Sequence, residues 1–149
     1  MKIEIVNQQK LKRINLKVLS AYLKKAQAFF DTSPNFSKRK NPVKLSILLC
    51  DNTFIKKLNK KYFKSSNSTD VISFPLSDKF EPDYLGEVVV SVEKAVQVSR
   101  KLSCDWRKEL TLYIIHGILH LRGYSDRRKK QRSIMEAKQQ QILEKIWET

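Results

Sequence analysis

Cysteine is nearly absent from this chain. Its 149 residues include only Cys50 and Cys104, which form no CxxC pair, so neither a disulfide framework nor a cysteine-ligated zinc site is expected. Long apolar runs are missing as well. No stretch approaches about 18 uncharged apolar residues. Lys2, Glu4, Lys10, Lys12 and Arg13 break up the N-terminus where a secretory signal would carry a continuous apolar segment. The sequence thus argues against secretion and membrane spanning, and for a cytoplasmic location. It also lacks internal repeats, low-complexity tracts and any linker that would divide it. A single domain over residues 1–149 is expected, with 41% hydrophobic residues to build one core. No nucleotide cofactor is expected.

Negative charge is scarce too. Thirty Lys and Arg stand against fifteen Asp and Glu, a net charge of +15, and such an excess points to a polyanionic partner. It is unevenly spread. Residues 1–67 carry sixteen basic and three acidic side chains (16 − 3 = +13), residues 68–121 carry six and eight (6 − 8 = −2), and residues 122–149 carry eight and four (8 − 4 = +4).

The near-neutral middle segment ends in His116-Gly117-Ile118-Leu119-His120-Leu121-Arg122-Gly123-Tyr124-Ser125-Asp126, which holds both histidines of the chain. They lie four residues apart in a run, Leu110 to Leu121, apolar enough to be a buried helix. That spacing puts both imidazoles on one face, one turn apart. Gly123 can take the left-handed conformation that ends a helix and folds the chain back, which allows Asp126 to return as a third ligand. Two imidazoles, a carboxylate and an open fourth position suit a catalytic zinc rather than a structural one. The bland alternative is a pair of core histidines hydrogen-bonded to carbonyls. The spacing H-x-x-x-H-x-x-G-x-x-D also copies that of metzincin proteases, with Asp126 in place of their third His. Those enzymes carry Glu directly after the first His as general base, whereas this chain has Gly117, which can take no proton.

Taken in order, Ile3 and Ile5 alternate with Lys2 and Glu4 as in a strand over Met1 to Val6. Leu16, Leu19, Leu23, Ala26 and Phe30 recur at helical spacing over residues 16–30. Asp31 to Pro42 reads as a polar loop, and Val43, Leu45, Ile47 and Leu49 as a second strand. Asp51 is placed to cap a helix from Asn52 to about Tyr62. That helix carries Lys56, Lys57, Lys60 and Lys61 and leads into the loop Phe63-Lys64-Ser65-Ser66-Asn67, the densest basic patch near the histidines. Ser68 to Pro75 and Leu85 to Ser91 read as strands. Ser91 should cap a helix whose inner face is Val92, Ala95, Val96 and Leu102, and Asp105 the histidine helix. Arg127 to Trp147 reads as a last helix with Met135, Ile142 and Ile146 inward.

Several of these stretches together resemble the YbeY family of bacterial ribosomal-RNA maturation factors, which are metal-dependent endoribonucleases. Asn59 with Tyr62, then Ser68-Thr69-Asp70-Val71-Ile72-Ser73-Phe74-Pro75, looks like the family's TDVLSFP segment. Leu85-Gly86-Glu87-Val88-Val89-Val90-Ser91 looks like its LGDIVIS strand, and His116-Gly117-x-Leu119-His120-Leu121-x-Gly123-Tyr124 like its HGxLHLxGYDH signature. Met135-Glu136 sits where the family's final helix has Met-Glu. The resemblance implies an α+β fold: a small mixed sheet of about four strands packed with helices, and a metal site on a central helix and the turn after it.

The same resemblance implies cleavage of single-stranded RNA, with small-subunit ribosomal RNA and the small ribosomal subunit as partners. It implies a role in ribosome quality control as well. The expected catalytic and metal residues are His116, His120 and Asp126, holding one Zn2+ per chain, and the expected RNA-binding residues are Lys57, Lys60, Lys61 and Lys64. Alternatives are an assembly factor that binds RNA with little or no cleavage and, disfavoured by Gly117, a metalloprotease. Two departures stand out. The signature ends in Asp-His, with the His as third ligand, whereas this chain reads Ser125-Asp126; a carboxylate there also admits Mn or Fe(II). Phe63 stands where the family usually has an Arg expected to contact phosphate, and nearby lysines would serve only as point charges.

Overall fold

The computed structural model describes residues 2–30, 44–63, 69–76 and 84–147. Their element order is β1 (Lys2–Asn7), α1 (Leu16–Phe30), β2 (Lys44–Cys50), α2 (Asn52–Phe63), β3 (Val71–Pro75), β4 (Tyr84–Ser91), α3 (Val92–Leu102), α4 (Trp106–Leu121) and α5 (Lys129–Trp147). The strands form one mixed sheet in the order β1-β2-β4-β3. β1, β2 and β4 run parallel, and β3 pairs antiparallel to β4 at the edge. The expected α+β class and four-stranded mixed sheet are thus found. The loops expected over Asp31 to Pro42 and around Lys64 lie outside the described residues.

Alternation along the strands divides the interior in two. Leu45, Ile47, Leu49, Val88 and Val90 face α1, α3, α4 and α5 in the main core. The intervening Val89, with Ile72 of β3, faces the opposite side, where Ile55 anchors α2. The three expected caps are present: the side chains of Asp51, Ser91 and Asp105 accept from the backbone N–H groups of Phe54 (2.9 Å), Lys94 (3.1 Å) and Arg107 (2.9 Å). Each satisfies a donor that a helix start leaves without an intrahelical partner.

Some expectations need correction. Leu102 is not on the inner face of α3 but 64% exposed: it is the last residue of the helix, beyond the buried Val92, Ala95, Val96 and Ser99, and the chain turns at Ser103 (φ 53°) directly after it. The last helix begins at Lys129 rather than Arg127. α2 runs through Phe63, which was expected in the loop. Met135, Ile142 and Ile146 are buried as expected. Among the described residues no helix is long and apolar enough to cross a membrane.

Helix α4 lies directly on the sheet. A Cβ added to Gly117 would meet Val88 Cγ1 at 2.6 Å, Val71 Cγ2 at 3.0 Å and Ser73 Oγ at 3.2 Å, and the Ser73 hydroxyl donates to the Gly117 carbonyl at 2.8 Å. Gly86 of β4 has φ +150°, and a Cβ there would run into the Phe74 carbonyl oxygen and, at 2.9 Å, Leu121 Cδ2. We expect Gly117→Ala to lower stability by about 1–3 kcal/mol through overpacking. Gly86→Ala should cost more, since its clash is with backbone. Thermal unfolding of both variants checks the order; equal, near-zero shifts would mean that α4 can lift off the sheet freely.

Candidate metal centre

From Ile114 to Leu121 only His116 and His120 carry polar side-chain atoms; Ile114, Ile115, Ile118 and Leu119 are fully buried. The two imidazoles are themselves only half-buried between these fully buried positions. The helix ends as the sequence suggests. Gly123 has φ +99°, its N–H donates to the His120 carbonyl at 3.1 Å, and the Tyr124 N–H donates to the Leu119 carbonyl at 3.0 Å. This reversal, which a residue with a Cβ would resist, carries Asp126 back over the end of α4.

Three donor atoms converge as a result. His120 Nε2 lies 3.1 Å from His116 Nε2 and 3.3 Å from Asp126 Oδ2, and His116 Nε2 lies 3.8 Å from that oxygen. Tetrahedral zinc with bonds of about 2.0–2.1 Å sets its nitrogen and oxygen donors about 3.3–3.4 Å apart. The observed spacings bracket that value, so the cluster could hold a metal ion. The protonation states suit it as well. His116 Nδ1 is 2.8 Å from Gln139 Oε1; an amide oxygen only accepts, so the proton sits on Nδ1 and the Nε2 lone pair is left for a ligand role. Burial pushes the His120 pKa below its ordinary value, as does His116, against a smaller opposing pull from Asp126. A neutral imidazole is the form that binds metal.

The three donors line a cleft of about 660 Å³ along the free edge of β3. Its other walls come from Asn59 and Phe63 of α2, from the Thr69 to Ser73 stretch and Pro75, and from the turn through Arg127. Lys57, Lys60 and Lys61 do not line it. They are exposed on α2, and helical periodicity places Lys57 and Lys61 on the side away from Asn59 and Phe63, with Lys60 nearer the rim. Lys64 lies outside the described residues. Gln139, Arg127 and Asp70 are absent from the expected site set. For Gln139 a signal existed: it falls in the α5 stripe Met135, Gln139, Ile142, Ile146, where a polar residue among buried ones calls for a partner. Cys50 is no candidate nucleophile, since burial, with Asp51 adding to it, pushes its thiol up to about 12.

Comparison with known proteins agrees with this architecture. The solution structure of a Thermotoga maritima protein superposes with a TM-score of 0.66 at 27% identity, over 97% of this chain and 89% of that one. Curated relatives named Endoribonuclease YbeY include one from Syntrophomonas wolfei, 32% identical over 95% of both chains. Another, from Caldicellulosiruptor bescii, is 30% identical over 98% of both. A third, from Carboxydothermus hydrogenoformans, is 37% identical over 66% of this chain and 69% of its own length. The family profile described as Endoribonuclease YbeY matches residues 1–147, and this chain belongs to that family.

Proposed function

We propose that this protein is a metal-dependent endoribonuclease that cuts single-stranded RNA in the cytoplasm, in maturation of small-subunit ribosomal RNA and in ribosome quality control, with the small ribosomal subunit as partner. The observation that carries the reading is the convergence of His116, His120 and Asp126 in an open cleft of a chain with net charge +15. Nε2 of each histidine and Oδ2 of Asp126 would hold the ion. The donor set fits one Zn2+ per chain and, through its carboxylate, also harder ions such as Mn2+.

When bound, the ion supplies Lewis acidity toward a phosphate oxygen and lowers the pKa of a water molecule. The chain's own residues do the rest. Gln139 fixes the His116 ring so that Nε2 faces the cleft, burial favours the neutral form of His120, and the Asp126 carboxylate offsets part of the cation's charge. Lys57, Lys60, Lys61 and Lys64 draw the phosphate backbone to the α2 side, and Arg127 receives it inside the cleft. Gly117 argues against peptide hydrolysis on steric grounds too. Its position faces Val71, Ser73 and Val88, so a glutamate there would be driven into the sheet.

The deciding experiment pairs elemental analysis with cleavage of a single-stranded RNA oligonucleotide, with and without chelator. We expect about one metal per chain and chelator-sensitive cleavage. Asp126→Ala should lose most of the metal while keeping the fold, and Asp126→His should retain a metal with preference shifted from manganese toward zinc. Equal metal content in all three proteins would remove Asp126 from the site. RNA binding without cleavage would favour the assembly-factor reading, and robust peptide hydrolysis abolished by His116→Ala would favour a protease.

Gln139→Leu should weaken metal affinity by about 10–100-fold through loss of the bond that orients His116, measured by competition with a chelating dye. Unchanged affinity would make that bond incidental. RNA affinity should fall steeply with salt, each neutralised phosphate contributing about −0.7 to the log–log slope on a single strand. Replacing Lys57, Lys60, Lys61 and Lys64 with Ala should flatten it by up to about 2.8 (four contacts at about 0.7). An unchanged slope would put the backbone path on Arg127, Arg128 and Lys129.

A further inference from the structure

Phe63 is an unusual residue to find at the mouth of a cleft for a polyanion. It stands where the resemblance calls for an arginine, the residue is 55% exposed, and it lines the same cleft as His116, His120 and Asp126. Nothing in the packing of α2 requires it there, because Ile55 provides the buried anchor of that helix. Yet the ring is held in place. It rests on Phe74 of β3, with centroids 6.1 Å apart and planes inclined by 34°, and Phe74 is braced edge-on by Tyr62 at 5.3 Å and 72°. An aromatic ring that is braced from behind, lines the cleft and keeps much of its surface exposed is a platform for another flat ring. The charge that position 63 lacks is present elsewhere. Arg127 is the one Lys or Arg among the described residues lining the cleft, and it follows Asp126 directly.

We propose that the cleft seats one unpaired RNA nucleotide in two parts, its base stacked on Phe63 and a phosphate held by the Arg127 guanidinium. The proposal rests on the endoribonuclease reading above. Stacking on an aromatic side chain tolerates any base, because every base has a π-face, and Arg matches a phosphate with two parallel donors. A base inside a duplex has both faces covered by its neighbours, so Phe63 selects unpaired RNA at the bond to be cut. Phe63 is therefore a positioning residue. It contributes no proton and no charge, and acts by fixing where the phosphate lies relative to the three metal-site donors.

The test uses the full chain and an RNA oligonucleotide with one cleavage site, into which an abasic nucleotide is introduced at successive positions around that site. With the wild-type protein, one abasic position should slow cleavage on the order of ten-fold or more, the range expected for loss of one stacked base. Phe63→Leu should slow cleavage of the intact strand by a similar factor and abolish the abasic penalty, while Phe63→Trp should keep both rate and penalty. Arg127→Ala should slow intact and abasic strands by the same factor, as a phosphate contact does. The proposal is overturned if no abasic position matters to the wild-type protein, a measurement that needs no variant to fold. It is likewise overturned if the penalty persists in Phe63→Leu. A wild-type protein that cuts neither strand overturns the endoribonuclease reading itself, and this inference with it.

Discussion

The close approach of α4 to the sheet is the constraint on which the site depends. Gly117 brings the helix backbone down onto Val71, Ser73 and Val88, and Ser73 fastens it with a hydrogen bond to the Gly117 carbonyl. At that depth Tyr113, Ile114, Ile115, Ile118 and Leu119 are buried, while His116 and His120 stay partly open. Burying an imidazole without partners is costly. These two meet the cost through Gln139, through Asp126 and through each other. Three potential acceptor atoms facing one another at 3.1–3.8 Å repel unless a proton or a cation lies among them. The fold therefore builds, from a helix that must lie flat on a sheet, a site that favours positive charge.

The choice of Asp126 as the third donor changes the balance of that charge. Two neutral imidazoles and a carboxylate carry one negative charge, where three imidazoles would carry none. A divalent ion held here would keep a smaller net positive charge, would bind with more Coulomb attraction and would polarise a phosphate less strongly. The surrounding chain works in the other direction. Asp126 is followed by Arg127, Arg128, Lys129, Lys130 and Arg132 at the start of α5, where the helix dipole is also positive at its N-terminus. The Asp126 side chain is 45% exposed, so its charge is partly screened by solvent. The carboxylate of the donor cluster is thus followed at once by a dense basic run.

Much of this was legible in the sequence because it is local. Alternation and helical period marked the strands and helices, Asp51, Ser91 and Asp105 marked helix starts, and the spacing of His116, His120, Gly123 and Asp126 marked a donor cluster that could hold a metal. What escaped depended on distant contacts. Gln139 reaches His116 from 23 residues away; its place in the α5 stripe signals that it needs a partner, but not that the partner is His116. The lysines of α2 show the limit of a local reading. Their density was plain, but the direction each one faces depends on which side of α2 packs on the sheet, and Ile55 turns Asn59 and Phe63, rather than Lys57 or Lys61, toward the cleft. Leu102 keeps the helical period of the stripe but is the last residue of α3, where the chain turns at Ser103, and the period does not show where the helix ends.

β3 links the two walls of the cleft, and its pleat explains how a small edge strand can do so. Successive side chains point to opposite faces, so Val71 and Ser73 meet α4 while Ile72 and Phe74 meet the α2 side. Ser73 grips the helix that carries the histidines, and Phe74, the next residue, supports Phe63. The separation between the donor cluster and the aromatic platform is therefore set across a single peptide unit, within a strand whose register on β4 runs from Val71↔Val90 to Pro75↔Gly86. A slip of one residue would exchange the two faces and dismantle both walls together. Gly86 opposes such a slip. It sits opposite Pro75, and the absence of a Cβ there lets the Phe74 carbonyl and Leu121 close in from two sides, so the same contact that lowers α4 onto the sheet also pins the strand that holds the cleft open.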